Sequence, residues 1–133
     1  MQEQEIVAAV RKLTGLDDAD RAADATRATL SVLGQRLPGD EVQDLADQLP
    51  PAIAEALPST GGGEEFGVEE FYRRVAKTEG GDVTADGARE HARAVVAVLK
   101  DEVGEATFDG LVSRLPADYQ EDLLSTAPSG EQL

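Results

Sequence analysis

A chain of 133 residues holds material for one modest domain or two very small ones, and 41% apolar with 29% charged residues is the balance of a folded chain. Cysteine is absent and His91 is the only histidine, which excludes disulfide frameworks, thiolate metal sites, thiol catalysis and any site needing two imidazoles from one chain. The formal net charge is −15 and is not gathered in a tail: residues 1–66 carry 13 acids and 5 bases (−8), residues 67–133 carry 14 and 7 (−7).

Ile6, Val7, Val10 and Leu13 recur at helical spacing and predict a first amphipathic helix. Thr26, Leu30, Leu33 and Leu37, widened by Ala25, Ala28 and Val32, predict a second, apolar over more than half its circumference and therefore central. Asp18 is placed to cap its start. Val42, Leu45, Ala46 and Leu49 form a third face, ended by Pro50, after which Ile53 and Leu57 pack a short fourth helix back onto the core. Residues 58–67, rich in Gly, Ser and Pro, read as a flexible connector.

The pattern then starts again. Phe71, Tyr72 and Val75 stand for Ile6, Val7 and Val10 at a shift of 65 residues. At a shift of 66, Asp20–Leu57 falls on Asp86–Leu123 with 11 identities in 38 positions, among them Arg27/Arg93, Ala28/Ala94, Val32/Val98, Leu33/Leu99, Leu49/Leu115 and Pro50/Pro116. Thr84 is the counterpart of Asp18 as a cap, Ala92, Val96, Leu99 and Val103 form the long face, and Phe108, Leu111, Val112 and Leu115 form the next, before Pro116, Tyr119 and Leu123. No strand pattern of useful length occurs. The expected fold is all-α: two tandem four-helix repeats, residues 1–57 and 68–126, packed with pseudo-twofold symmetry about one core, with a frayed tail at 127–133.

Ala25-Thr26-Arg27-Ala28-Thr29-Leu30, then Arg36-Leu37-Pro38 and Leu45-Ala46-Asp47-Gln48-Leu49-Pro50, resembles the prokaryotic domain of unknown function 2267. The second copy, from Ala92-Arg93-Ala94-Val95-Val96-Ala97-Val98-Leu99 to Leu115-Pro116-Ala117-Asp118-Tyr119, is similar to that family's C-terminal half, and Glu70-Phe71-Tyr72-Arg73-Arg74-Val75 to the segment that follows its mid-chain loop. At the loop itself this chain departs from the family, carrying Gly61-Gly62-Gly63 where bulky aromatics are usual. The resemblance implies a small all-α prokaryotic protein and supplies no activity, cofactor or catalytic residue.

Candidate chemistry is sparse. Asp82-Val83-Thr84-Ala85-Asp86-Gly87 opens like a calcium loop, but its twelfth position, where a bidentate Glu belongs, is Arg93, so a capped helix start is the better reading. His91 sits on the secondary apolar stripe of its helix and reads as a packing residue rather than a base. Adjacent carboxylates follow from composition, and no serine has a nucleophile-elbow context. The polar residues that stand out are Arg27 and Arg93, retained in both copies, each with an acid three residues earlier, Asp24 and Glu90. An i, i+3 pair is worth only a few tenths of a kcal/mol, so both arginines are expected to bridge to a carbonyl or carboxylate elsewhere in the fold, for instance where the copies meet.

The negative field opposes nucleic acid and anionic membranes alike. No apolar run approaches the ~20 residues of a membrane span, and Met1 to Glu5 lack a signal peptide's basic region, which leaves a cytoplasmic location. Three lysines against nine arginines and 27 acids also suit a halophile's salt-rich cytoplasm, where screening shortens self-repulsion. No cofactor and no metal are expected. The favoured reading is a non-enzymatic interaction module with protein partners or self-association. The alternative is a binder of small ligands or cations using the groove between the copies, with Tyr72, Tyr119, Phe108 or clustered carboxylates; an enzyme in that groove is the third.

Overall fold

The computed structural model describes residues 2–16, 18–57 and 64–123. These form eight helices and no strand: α1 (Glu3–Thr14), α2 (Ala19–Arg36), α3 (Gly39–Asp47), α4 (Pro51–Ala54), α5 (Val68–Glu79), α6 (Ala85–Glu102), α7 (Glu105–Arg114) and α8 (Ala117–Asp122). Of the expected connector, 58–63 lie outside the described residues, as do 124–126 of the second repeat and the tail at 127–133.

The boundaries follow from local chemistry. Asp18 Oδ1 accepts the Arg21 N–H at 2.8 Å and Thr84 Oγ1 accepts the Gly87 N–H at 3.0 Å, so the two long helices carry the expected N-caps. α1 ends at Gly15 (φ 75°), whose left-handed conformation costs a glycine little. Pro50 and Pro116 stand at the N-caps of α4 and α8.

α2 and α6 lie at the centre, packed on each other and each on both α1 and α5. The long apolar arcs require this position: α2 buries Ala22, Ala25, Thr26, Ala28, Thr29, Leu30, Val32, Leu33 and Gly34, and α6 buries Ala88, Ala92, Ala94, Val95, Val96, Val98 and Leu99. α3 packs on α7 and α4, α7 on α6, and α8 on α5. One continuous cluster of buried apolar side chains draws on all eight helices.

Two expectations about packing change. Leu13, placed on the inner face of α1, is 60% exposed; in the last turn the inward position falls to Thr14, which is partly buried and whose hydroxyl donates to the Val10 carbonyl at 2.8 Å. Tyr72, Tyr119 and Phe108, offered as groove residues, are buried in the core. The Phe71 ring meets the Tyr72 and Tyr119 rings edge-on, with centroids 6.1 and 5.7 Å away, an arrangement that favours aromatic quadrupoles.

Candidate functional site

Arg27 is exposed on α2 and turns to α1, where Nη2 donates to Glu3 Oε2 at 2.7 Å. It thus finds a carboxylate elsewhere in the fold, but within residues 1–57 and not at a junction with the second half. Arg93 is placed differently. Its Nε is buried without a hydrogen-bond partner, and its charge acts on Tyr72 and Asp122. Among the ion pairs of the described residues, neither Asp24–Arg27 nor Glu90–Arg93 occurs.

The group beside Arg93 is a clasp built from three helices. Tyr72 Oη on α5 donates to Asp122 Oδ2 on α8 at 2.5 Å, and Arg89 on α6 grips the same carboxylate through Nε to Oδ2 and Nη2 to Oδ1, both at 2.9 Å. The Arg89 fork, with help from the Tyr72 hydroxyl, holds the Asp122 carboxyl down at about 2. Burial, then the Asp122 carboxylate, pushes the Tyr72 hydroxyl far above its ordinary range. An ionised carboxylate with three donors is a weak base, and a phenol held protonated is no nucleophile, so this geometry fastens helices.

Other arginines do similar work. Arg74 Nε donates to Glu70 at 3.0 Å and Nη1 to Gln35 and Glu64 at 3.0 and 3.1 Å, with its guanidinium 3.9 Å from the Phe66 ring centroid. Arg36 Nε donates to the Phe66 carbonyl at 3.2 Å, and Glu64 N–H to the Gln35 carbonyl at 3.0 Å. Residues 64–67 are therefore tied down against the end of α2. Arg114 reaches Glu41 at 3.3 Å and Asp40 at 3.7 Å.

His91 is partly buried, as its position on the stripe implies, yet it is more than packing. Its Nδ1 lies 3.0 and 2.9 Å from the two carboxylate oxygens of Glu79, the last residue of α5, and donates to them. The Glu79 side chain is only 5% exposed. Sequence reading missed this pair; its signal is the tight α5–α6 turn, which lays the end of one helix against the second turn of the next. Beside Glu79 lie two adjoining clefts, of about 290 and 360 Å³, between α2 and the α5–α6 turn. Both are lined by Asp24 and Glu79. One continues along Gly80, Gly81, Asp82 and Val83; the other along Arg27, Ala28, Ser31, Ala56 and Thr78. Among the described residues no group of three or more metal-ligating side chains converges, and no helix is long and apolar enough to cross a membrane.

Fold and site together define a small all-helical protein whose helices are fastened by arginine-centred polar links. The chain belongs to the family described as Uncharacterized conserved protein (DUF2267), whose family model matches residues 3–121. No curated protein matches it.

Proposed function

We propose that the chain is a non-enzymatic interaction module with protein partners, built by duplication so that residues 1–57 and 68–126 close on one core about a pseudo-twofold axis. The duplication is supported by the element bounds: α2 and α6 begin at Ala19 and Ala85 and end at Arg36 and Glu102, 66 residues apart at both ends. The change from a shift of 65 to 66 falls in the α5–α6 turn, where Gly81 (φ 63°) supplies one residue more than the α1–α2 turn holds. Side-chain bonds exchange in the same way. Gln48 Nε2 donates to Thr107 Oγ1 and Arg114 to Glu41, and a shift of 66 turns Gln48 into Arg114 and Glu41 into Thr107. Reciprocal contacts of this kind are what a twofold axis generates. Arg27, with Asp24 nearby, belongs to this scaffold as a polar tie to Glu3, and Arg93, with Glu90 nearby, as a charge beside the Tyr72–Asp122 clasp; neither is assigned to a catalytic site.

The observation that carries the interaction reading is the fate of the positive charge. Arginines are spent on ties within the fold, between helices to Glu3, Asp122, Asp40 and Glu41, within α5 to Glu70, and to Glu64 just before it, so the surplus of acids faces outward and steers cationic surfaces toward the chain. The same acidity suits a salt-rich cytoplasm. Light scattering and stoichiometric co-purification from the source cells test the reading. The expected result is a homo-oligomer or a defined protein partner. A partnerless monomer whose melting temperature climbs with added divalent cation overturns it in favour of a cation binder, because a ligand that selects the native state stabilises it.

A further inference from the structure

We infer that Arg93 receives a carboxylate from outside the chain, carried by a small organic acid or by an acidic side chain of a partner. Either source presents the same group, so the site stands whether or not the interaction reading does. Arg27, Arg36, Arg74, Arg89 and Arg114 each donate to an acceptor of the fold, at 2.7, 3.2, 3.0, 2.9 and 3.3 Å. Arg93 differs: its Nε is buried without a hydrogen-bond partner, and among the described residues it enters no ion pair. The shift of 66 residues lays Arg93 on Arg27, whose ligand is the Glu3 carboxylate. The shift of 65 that holds along α1 and α5 puts Val68 where Glu3 stands, and Val68 is buried. The second half thus keeps the arginine and carries no carboxylate at the equivalent place.

The neighbouring acids are otherwise engaged. Asp122 lies close enough for the Arg93 charge to act on it, but its oxygens already hold the Tyr72 hydroxyl and two nitrogens of Arg89. Arg89 and Asp122 cancel, so Arg93 leaves this cluster with a positive charge in surplus. Glu90, three residues earlier on α6, is exposed and forms no ion pair with it. A guanidinium partly withdrawn from water and short of acceptors is costly until an anion completes it. Only the Nε edge is shut in; Arg93 as a whole is partly exposed, which leaves the Nη edge for a solute. Two parallel N–H groups match the two oxygens of a carboxylate. A single negative charge balances the surplus, whereas a phosphate group brings about −1.5 to −2 into a chain that already carries −15. At physiological salt the screening length is about 8 Å, so distant surface acids count for little beside this local charge.

Heteronuclear NMR of the full chain tests this, with sodium acetate exchanged for sodium chloride at constant ionic strength and neutral pH. The Arg93 Nε–H is shielded from water, so slow exchange preserves its resonance as a direct reporter. Acetate is expected to shift that resonance along a saturating curve that chloride does not produce, while the Arg27 Nε–H, beside Glu3, stays in place. Arg93→Gln is expected to weaken acetate binding, read on the amides of Tyr72 and Asp122, about tenfold or more, and Arg21→Gln, the same charge change at an exposed position of α2, about twofold or less. The wild-type shifts carry the test if Arg93→Gln does not fold. The peptide acetyl-Gly-Glu-Gly-amide binding tighter than acetate assigns the site to an acidic side chain of a partner, and binding no tighter assigns it to a small acid; both keep it. Inorganic phosphate binding tighter than acetate overturns the carboxylate. Equal shifts in acetate and chloride, or none, mean that Asp122 or Glu90 completes Arg93 within the chain, and overturn the site. Equal weakening by Arg93→Gln and Arg21→Gln overturns it too, leaving only general attraction to positive charge.

Discussion

Thr29 lies in the core on α2 with no solvent exposure, and its Oγ1 has no hydrogen-bond partner. Thr26, one turn earlier, avoids that cost by donating to the Ala22 carbonyl at 2.8 Å. A buried hydroxyl without a partner costs on the order of 1–3 kcal/mol, and valine has nearly the same shape. Thr29→Val is therefore expected to raise stability by about 1 kcal/mol, read as a higher urea midpoint at unchanged slope; a lower midpoint would show that the hydroxyl is satisfied in solution. Periodicity put Thr26 on the inner face correctly, but it cannot say whether a hydroxyl finds an acceptor. The same limit hid the partner of Arg27. Asp24 is near in sequence, whereas Glu3 is brought to it by the packing of α1 on α2. Polar partners across helices are fixed by tertiary geometry, and one chain's spacing does not encode it directly.

The short elements depend on their neighbours. α8 has six residues, too few to hold a helix by its own hydrogen bonds. It is fixed by Tyr119 Oη donating to the Phe66 carbonyl at 2.7 Å, by Asp118 Oδ2 accepting the Val68 N–H at 2.9 Å, and by the Asp122 clasp. The Asp118 bond also serves α5, whose Gly67 N-cap has no side chain to offer. Gln48 does the same for α7 by accepting the Gly104 N–H at 2.6 Å. Helix positions were legible because proline, glycine and capping residues act locally. These ties were not, since Asp122 and Arg89 replace Ala56 and Ala23 of the first copy and so break the internal pattern that made the helices readable. The clasp has a pH signature. Asp122 is held at about 2 against an ordinary 3.8, so its contribution is present above the unfolded value and lost as pH falls from near 4 toward 2. Asp122→Asn is expected to cost about 1–2 kcal/mol at neutral pH and to flatten the loss of stability in that acid window. A variant with the wild-type acid profile would remove Asp122 from the account. At the other edge, burial pushes Tyr119 up to about 12, which favours its neutral form, so this contribution is lost as pH rises from 10 toward 12.

At the scale of the whole molecule, 27 acids and 12 bases set two electrostatic effects against each other. The arginine ties are attractive, short and local; Arg27–Glu3 at 2.7 Å, with side chains 44% and 33% exposed, is of the kind worth about 1 kcal/mol or less. Repulsion among the surplus carboxylates is weak per pair, about 0.4 kcal/mol at 10 Å in water, but it acts between many pairs at once. Screening with a length of about 3 Å at molar salt removes the second effect far more completely than the first, so the sign of the salt response is decided by the long-range term. The melting temperature is expected to rise between dilute buffer and molar KCl. Salt also strengthens apolar burial, and a second protein separates the two causes: with Asp44, Asp47 and Asp109 changed to Asn on the exposed sides of α3 and α7, the rise should shrink if repulsion drives it. A rise of equal size in both proteins would assign it to the core, and equal stability of the wild-type chain in both buffers would show that the −15 charge carries no cost at low salt.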